Sequence, residues 1–241
     1  MKRYLAVGFI IFLFVVIAAI PAGIVARSLE NIKGLSLVEP RGTLWTGQAH
    51  LLIQGRRMGI LKWDLIPTSF FSLTPTAVWT LQDKRLSLEG NVSGIEPVTI
   101  SVSGNVDMAL FAPLLKPYDL IVPGTIAAEQ VSITFFPGTH QFTQTGGKIR
   151  WSGGQVHYIL SGQHADAILP PMVADLTTTN RQPIADIYAE GEPTQLMRAE
   201  ITAEGTIKIG ITKMFTKLLT TPWPGSDPDH AIVLEVEEQI L

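Results

Sequence analysis

From Pro40 onward the commonest pattern in this 241-residue chain is strict alternation of apolar and polar residues. A period of two means strands with one buried face and one wet face. Ile201, Ala203, Gly205, Ile207, Ile209 and Ile211 share one phase of a single run, with Thr202, Glu204, Thr206 and Lys208 in the other. The same alternation marks Leu86 and Leu88, Val98 to Val102, Val131 to Phe135, and Ile232 to Val236. Glycines such as Gly55, Gly90, Gly94, Gly104, Gly124 and Gly162 bound these runs as turns or bulges. Short strands at turn-limited spacing predict a mostly β, antiparallel fold, drawn as a strongly curved sheet or an open barrel-like domain. Two stretches change to helical spacing. Met108, Phe111, Ala112 and Leu115 follow Asp107, a residue suited to an N-cap, and Ile211, Met214, Phe215, Leu218 and Leu219 precede Pro222. They predict short helices over Asp107–Lys116 and Ile211–Thr220 that close an open end of the sheet.

A second feature concerns location. Tyr4 to Ala26 is a run of 23 residues without a charge, flanked by Lys2 and Arg3 before it and Arg27 after it. As one helix it would span about 34 Å, enough to cross a bilayer core of about 30 Å. The positive flank on the N-terminal side places residues 1–3 in the cytoplasm and 27–241 outside, as a single-pass protein. A cleaved signal peptide is the competing reading, since Ala18, Ala19 and Ala22 are small. The run exceeds the usual apolar length of such peptides, and Ile20 or Ile24 stands where cleavage wants a small residue.

About 215 residues remain after this run, enough for one large or two small domains. Setting Lys2 and Arg3 aside, 16 basic residues face 21 acidic ones. That balance argues against nucleic acid as a partner. The chain has no cysteine, so neither a disulfide nor a lipidated cysteine enters the reading. The least regular tract, Thr220 to Asp229, reads as a connection before a last strand.

An internal repeat accompanies the alternation. Trp45 to Gly55 reads WTGQAHLLIQG and Trp151 to Gly162 reads WSGGQVHYILSG, with one extra glycine in the second copy. Ala49, Leu51 and Ile53 share a face, as do Val156, Tyr158 and Leu160; Gln48 with His50, and Gln155 with His157, lie opposite. Leu65–Pro67 and Leu169–Pro171 follow at similar distances, which suggests two related halves of about 41–107 and 147–211.

Catalytic motifs are missing from the sequence: no G-x-S-x-G, no Walker loop, no dinucleotide glycine pattern, no H-E-x-x-H and no cysteine nucleophile. The imidazoles are His50, His140, His157, His164 and His230. His157 and His164 are seven apart, which is hairpin spacing and reads as two surface histidines in preference to a metal pair. Asp64, and the set Glu235, Glu237 and Glu238, fall on the wet phase of strands. No enzyme, cofactor or metal site is expected. Trp45, Trp63, Trp79 and Trp151 lie in predicted strands and read as core, whereas Trp223, between Pro222 and Pro224, reads as a partner contact or a membrane-interface residue, or equally as packing over a helix end.

The stretch GTLWTGQA at Gly42 to Ala49, then KWDLIP at Lys62 to Pro67, then GGKIRWSGGQV at Gly146 to Val156, and a strand end at Glu204 and Gly205, resemble the protein N family of bacterial type II secretion systems. The residues that carry the resemblance are Gly42, Leu44, Trp45, Gly47, Ala49, Trp63, Leu65, Pro67, Trp151 and Gly153. It implies a single-pass inner-membrane protein with a periplasmic domain, an accessory of the machine that exports folded proteins. The implied partners are other inner-membrane and secretin-associated subunits, with the bilayer around the N-terminal helix. It implies no active site. A membrane-tethered sheet with one apolar face could instead carry lipid chains, in the manner of AsmA-like proteins.

Overall fold

The computed structural model describes residues 16–29, 32, 34–139, 141–160, 163–202, 205–221 and 223–239. The chain forms two compact units, 1–95 and 96–241. The boundary at Ile95 and Glu96 falls inside the first of the expected halves.

In the first unit, α1 (Gly23–Leu29) precedes β1 (Leu35–Gly42), β2 (Thr46–Ile53), β3 (Arg56–Ile66), a 3-10 helix (Pro67–Ser72), β4 (Thr76–Asp83) and β5 (Leu86–Ser93). Each strand pairs antiparallel with the next. The register puts Leu37, Leu51, Ala49, Leu61, Trp63, Leu81, Trp79 and Leu88 on one face and Gln48, Lys62, Thr80 and Glu89 on the other. The predicted turn at Gly55 is a two-residue reversal in which Gln54 and Gly55 both have positive φ, 50° and 75°. That is the turn whose twist suits a hairpin.

Tyr4 to Val15, most of the expected membrane helix, lies outside the described residues. Among the described residues no helix is long and apolar enough to cross a membrane. The rest of the run does not form one helix. Helical turns at 16–18 end at Ala19, Pro21 bridges to Thr43, and α1 begins anew at Gly23. Proline has no amide proton to continue a helix. The Ala22 amide donates to the Gly42 carbonyl at 3.2 Å and the Leu44 amide to the Ile20 carbonyl at 2.8 Å. Ala22 and Ala26 are buried and α1 packs along β1. The end of the apolar run therefore belongs to the β unit.

The second unit comprises β6 (Val98–Asp107), β7 (Thr125–Phe136), β8 (Gln141–Trp151), β9 (Gly154–Leu160), β10 (Gln163–Leu169), β11 (Met172–Thr179), β12 (Gln182–Ala189), β13 (Gln195–Ile201), β14 (Thr206–Thr212), α3 (Lys213–Leu218) and β15 (Ile232–Gln239). Its sheet order is β6-β7-β8-β11-β12-β13-β14-β15, all antiparallel, and β9–β10 form a separate two-stranded sheet. The sheet is not closed, since β6 and β15 do not pair with each other. The expected helix after Asp107 is a broken one: 3-10 turns at Met108–Leu110 and Lys116–Tyr118 flank α2 (Ala112–Leu115). Asp107 does cap it, accepting from the Ala109 amide at 2.8 Å. α3 is capped by Thr212, whose hydroxyl accepts from the Phe215 amide.

The single run expected over Ile201–Ile211 is two strands. β13 and β14 meet with Ile201 opposite Ile207, Ala199 opposite Ile209 and Met197 opposite Ile211. Opposed residues share a face, so the phase survives the reversal that the continuous reading missed. These residues extend an apolar face through Ala185 and Ile187, Leu176 and Ala174, Ile149 and Trp151, and Ile126 and Ala128. At one end it is closed by the β9–β10 hairpin and α3, giving a core of Val156, Ala167, Leu169, Met172, Leu196 and Phe215. Elsewhere Ile149, Leu176, Ile207 and Ile209 stay half-buried.

The extra glycine of the second repeat copy has a structural consequence. Gly153 (φ 75°) and Gly154 (φ 144°) turn the chain out of the main sheet. A Cβ on Gly153 would sit 2.7 Å from the Pro171 nitrogen and 2.8 Å from the Leu169 carbonyl, where the hairpin returns. In the first copy β2 and β3 stay in the sheet instead. Leu196, 1% exposed in this core, is the side chain the second unit can least lose. Leu196→Ala is expected to cost about 2 to 5 kcal/mol, read as a lowered urea midpoint at unchanged slope.

Candidate interaction surface

Six of the motif residues come together at one corner of the first unit. Gly42 has φ 92°, and a Cβ there would meet the Thr46 carbonyl at 2.5 Å. Thr43 and Thr46 close the turn through the Thr43 amide and Thr46 carbonyl at 2.9 Å. Trp45 lies in this turn, not in a strand, and its indole donates to the Ile17 carbonyl at 2.9 Å. The Leu65 amide donates to the Trp45 carbonyl at 2.6 Å. Trp63 is buried, donates to the Leu44 carbonyl at 3.2 Å, and lies over Gly47. A Cβ at Gly47 would come 2.4 Å from the Trp63 ring. The spacing of Gly42, Trp45, Gly47 and Trp63 is therefore a packing requirement. Ala49 is buried opposite Leu61, and Pro67 opens the 3-10 helix. Lys2 and Arg3 lie outside the described residues, and Arg27 is in the last turn of α1.

Trp151 and Gly153 belong to the second unit and form a comparable lock there. The Trp151 indole donates to the Pro123 carbonyl at 2.8 Å, 28 residues upstream, as the Trp45 indole does to Ile17. Above Gly47 and Trp63 a shallow groove of about 560 Å³ is bordered by Arg41, Lys62, Asp64 and Trp79. Within it the Thr46 hydroxyl donates to the Asp64 carboxylate at 3.3 Å.

The polar face of the second unit carries ion pairs between neighbouring strands. Lys148 bonds Asp175 at 2.9 Å, Arg150 bonds Glu129 at 2.7 Å and also Glu190, and Lys208 bonds Glu237 at 2.8 Å. Arg198 grips Asp186 with two bonds of 2.6 and 3.0 Å, and Gln195 adds a third to the same carboxylate. These bonds raise the Arg198 guanidinium above its ordinary value, the hydrogen bond to Asp186 being the main cause. Lys208 is raised by its hydrogen bond to Glu237. Such pairs satisfy charge along a wet face.

His157 and His164 share one face of the β9–β10 hairpin and border a groove of about 570 Å³ with Lys116, Asp119 and Asp166. His157 Nδ1 contacts Asp166 at 2.5 Å across the β9–β10 hairpin, and His164 is diagonal to it. His50, expected on the wet phase, is half-buried with no hydrogen-bond partner for Nδ1. His140 lies outside the described residues. No group of three His, Asp or Glu that could hold a metal ion occurs among the described residues.

The family model for type II secretion system protein N matches residues 33–222, most of the chain. The chain belongs to that family. Protein N is a component of the secretion machinery, so type II secretion is the process this chain serves. No curated relative and no solved structure matches it. The motif corner and the Trp151 lock both lie within the matched residues. The connection after Leu219 and β15 lie almost wholly beyond them.

That connection is tied to α3, which sequence reasoning missed. Lys213, buried, donates to the Gly225 and Asp227 carbonyls at 2.6 and 2.9 Å, and Lys217 bonds Asp229 at 2.6 Å. The Trp223 amide donates to the Thr216 hydroxyl at 3.0 Å, while Trp223 itself remains 40% exposed. The lysines fall one turn apart on the predicted helix, but nothing local indicates that they reach a loop twelve residues on.

Two outcomes test this geometry. Gly47→Ala is expected to destabilise by about 1 to 3 kcal/mol because the ring must move. Gly23→Ala, with open space around it at the start of α1, is expected to be neutral or mildly stabilising; both are read from denaturant midpoints. The Lys217 bond holds the Asp229 carboxyl below its ordinary value. Its contribution is present above the unfolded carboxylate pKa and is lost as pH falls through the folded one. NMR titration of Asp229 is expected to show the depressed value, returning to the ordinary range in Lys217→Ala.

Proposed function

We propose that this chain is an accessory of the type II secretion machine that works by binding other envelope proteins in the periplasm. The carrying observation is the family match over residues 33–222. The two-faced sheet of the second unit fits the reading, because ion pairs occupy its polar face while its apolar face is closed at one end only.

A second reading has one observation in its favour. The half-buried Ile149, Leu176, Ile207 and Ile209 form an apolar surface on which a lipid chain could lie. The two readings part in crosslinking. A photoreactive residue at Ile209 or at Ile168, which is 81% exposed, is expected to capture secretion-machine subunits in intact cells. Capture of phospholipid alone would replace the protein-binding reading with the lipid one. His157→Ala and Asp64→Ala are each expected to leave export of secreted enzymes within about twofold of wild type, since exposed changes cost under about 0.5 kcal/mol. Loss of export at normal abundance in either would show a chemical role.

A further inference from the structure

β15 has a strand neighbour on one side only among the described residues, β14. Seven of its eight residues are exposed, Val233 being the exception. Natural edge strands are guarded by charged side chains, lysine above all, by proline, or by a bulge that twists the edge away, and β15 has carboxylates alone for this. Ile232–Gln239 contains neither lysine, arginine nor proline, and its one irregularity lies at the start, where Ile232 folds over Gly210. From Leu234 to Gln239 the ladder with β14 is regular.

The two faces of this strand differ in chemistry. Leu234 and Val236, 43% and 46% exposed, continue the apolar row of Ile211 and Ile209. Glu235 and Glu237 stand on the opposite face, opposite Gly210 and Lys208, and Glu238 stands beyond Val236 opposite Ile207. Glu200 lies next to Lys208 on β13. Among the described residues three carboxylates, Glu200, Glu235 and Glu237, thus share this face with the amine of Lys208, which bonds Glu237.

We propose that the outer edge of β15 is a strand-addition site for an extended segment of another protein that alternates apolar residues with Lys or Arg. The apolar residues would continue the row of Leu234 and Val236, and the basic ones would stand beside Glu235 and Glu237. Backbone pairing would supply affinity and the alternate side chains specificity. Charge selects this occupant. A second copy of β15 would bring carboxylate against carboxylate, and like charges directly opposite are destabilising. The headgroups of anionic lipids meet the same repulsion. The proposal rests on the protein-binding reading above and adds the place and the chemistry of the partner. β15 lies beyond the family-matched residues 33–222.

The test uses the purified full chain in mild detergent and three capped octapeptides: VKVKVKVK, VEVEVEVE, and VKPKVKPK, which keeps the charge but cannot form a ladder. The first is expected to bind and to slow hydrogen exchange of the β15 amides, with the other two at least tenfold weaker. Glu235→Lys, which leaves the Lys208–Glu237 bond in place, is expected to lose the VKVKVKVK peptide by roughly fivefold and to gain the VEVEVEVE peptide. Equal binding of the proline peptide, or protection away from β15, would reduce the effect to general charge attraction and overturn the proposal. So would a chain that dimerises in sedimentation through β15. In intact cells, capture of a secretion-machine subunit by a photoreactive residue at Val236 supports the site. Capture at Ile168 with none at Val236 removes the β15 site and leaves the protein-binding reading standing; no capture of such a subunit at either removes both.

Discussion

A strand that alternates apolar and polar side chains has one face to hide, and the second unit hides its face piecemeal. The β9–β10 hairpin and α3 fold over one end of the sheet and enclose Val156, Ala167, Met172, Leu196 and Phe215. Toward β13 and β14 the same face is only half-buried. Burial of apolar surface is the main favourable term in folding, at about 25 cal/mol per Å². A sheet that leaves part of it unclaimed retains a surface on which other molecules can gain by docking. That arrangement links the fold of this chain to its place in a multi-protein machine.

The glycines and tryptophans of the motif serve the same end by a different route. Trp63 can lie against β2 only because Gly47 has no side chain, and Gly42 takes a backbone conformation that other residues adopt at a cost. Trp45 and Trp151 each send an indole N–H back 28 residues to a main-chain carbonyl. These are tertiary locks that hold segments distant in sequence. Their spacing is specific without encoding any chemistry, which is why the family could be recognised from them while no active site followed.

The tail shows how a connection of low regularity is made definite. Lys213 and Lys217 of α3 collect carbonyls and a carboxylate from residues 225–229 and so bring β15 to the edge of β14. The stretch Thr220 to Asp229 contains no pattern of its own because its order comes from partners on a helix and not from backbone pairing.

Alternation is a property of neighbouring residues, so the sequence by itself determined the β class, the faces of the strands, a break at Gly55 and the cap at Asp107. The shared phase of Ile201, Ile207, Ile209 and Ile211 was legible too, although the reversal inside the run was not, since an antiparallel turn keeps opposed residues on one face. What covers each face is a contact between distant residues, and only the tertiary structure decided it. An apolar stretch such as Ile20 to Ala26 reads the same whether lipid or protein satisfies it; Pro21 bridging to Thr43, and Ala22 and Ala26 buried beside β1, assign it to the sheet. The two repeat copies read nearly alike, yet one stays in its sheet and the other leaves. One additional glycine relieves the backbone at the turn, and the consequence appears only where Pro171 returns to meet it.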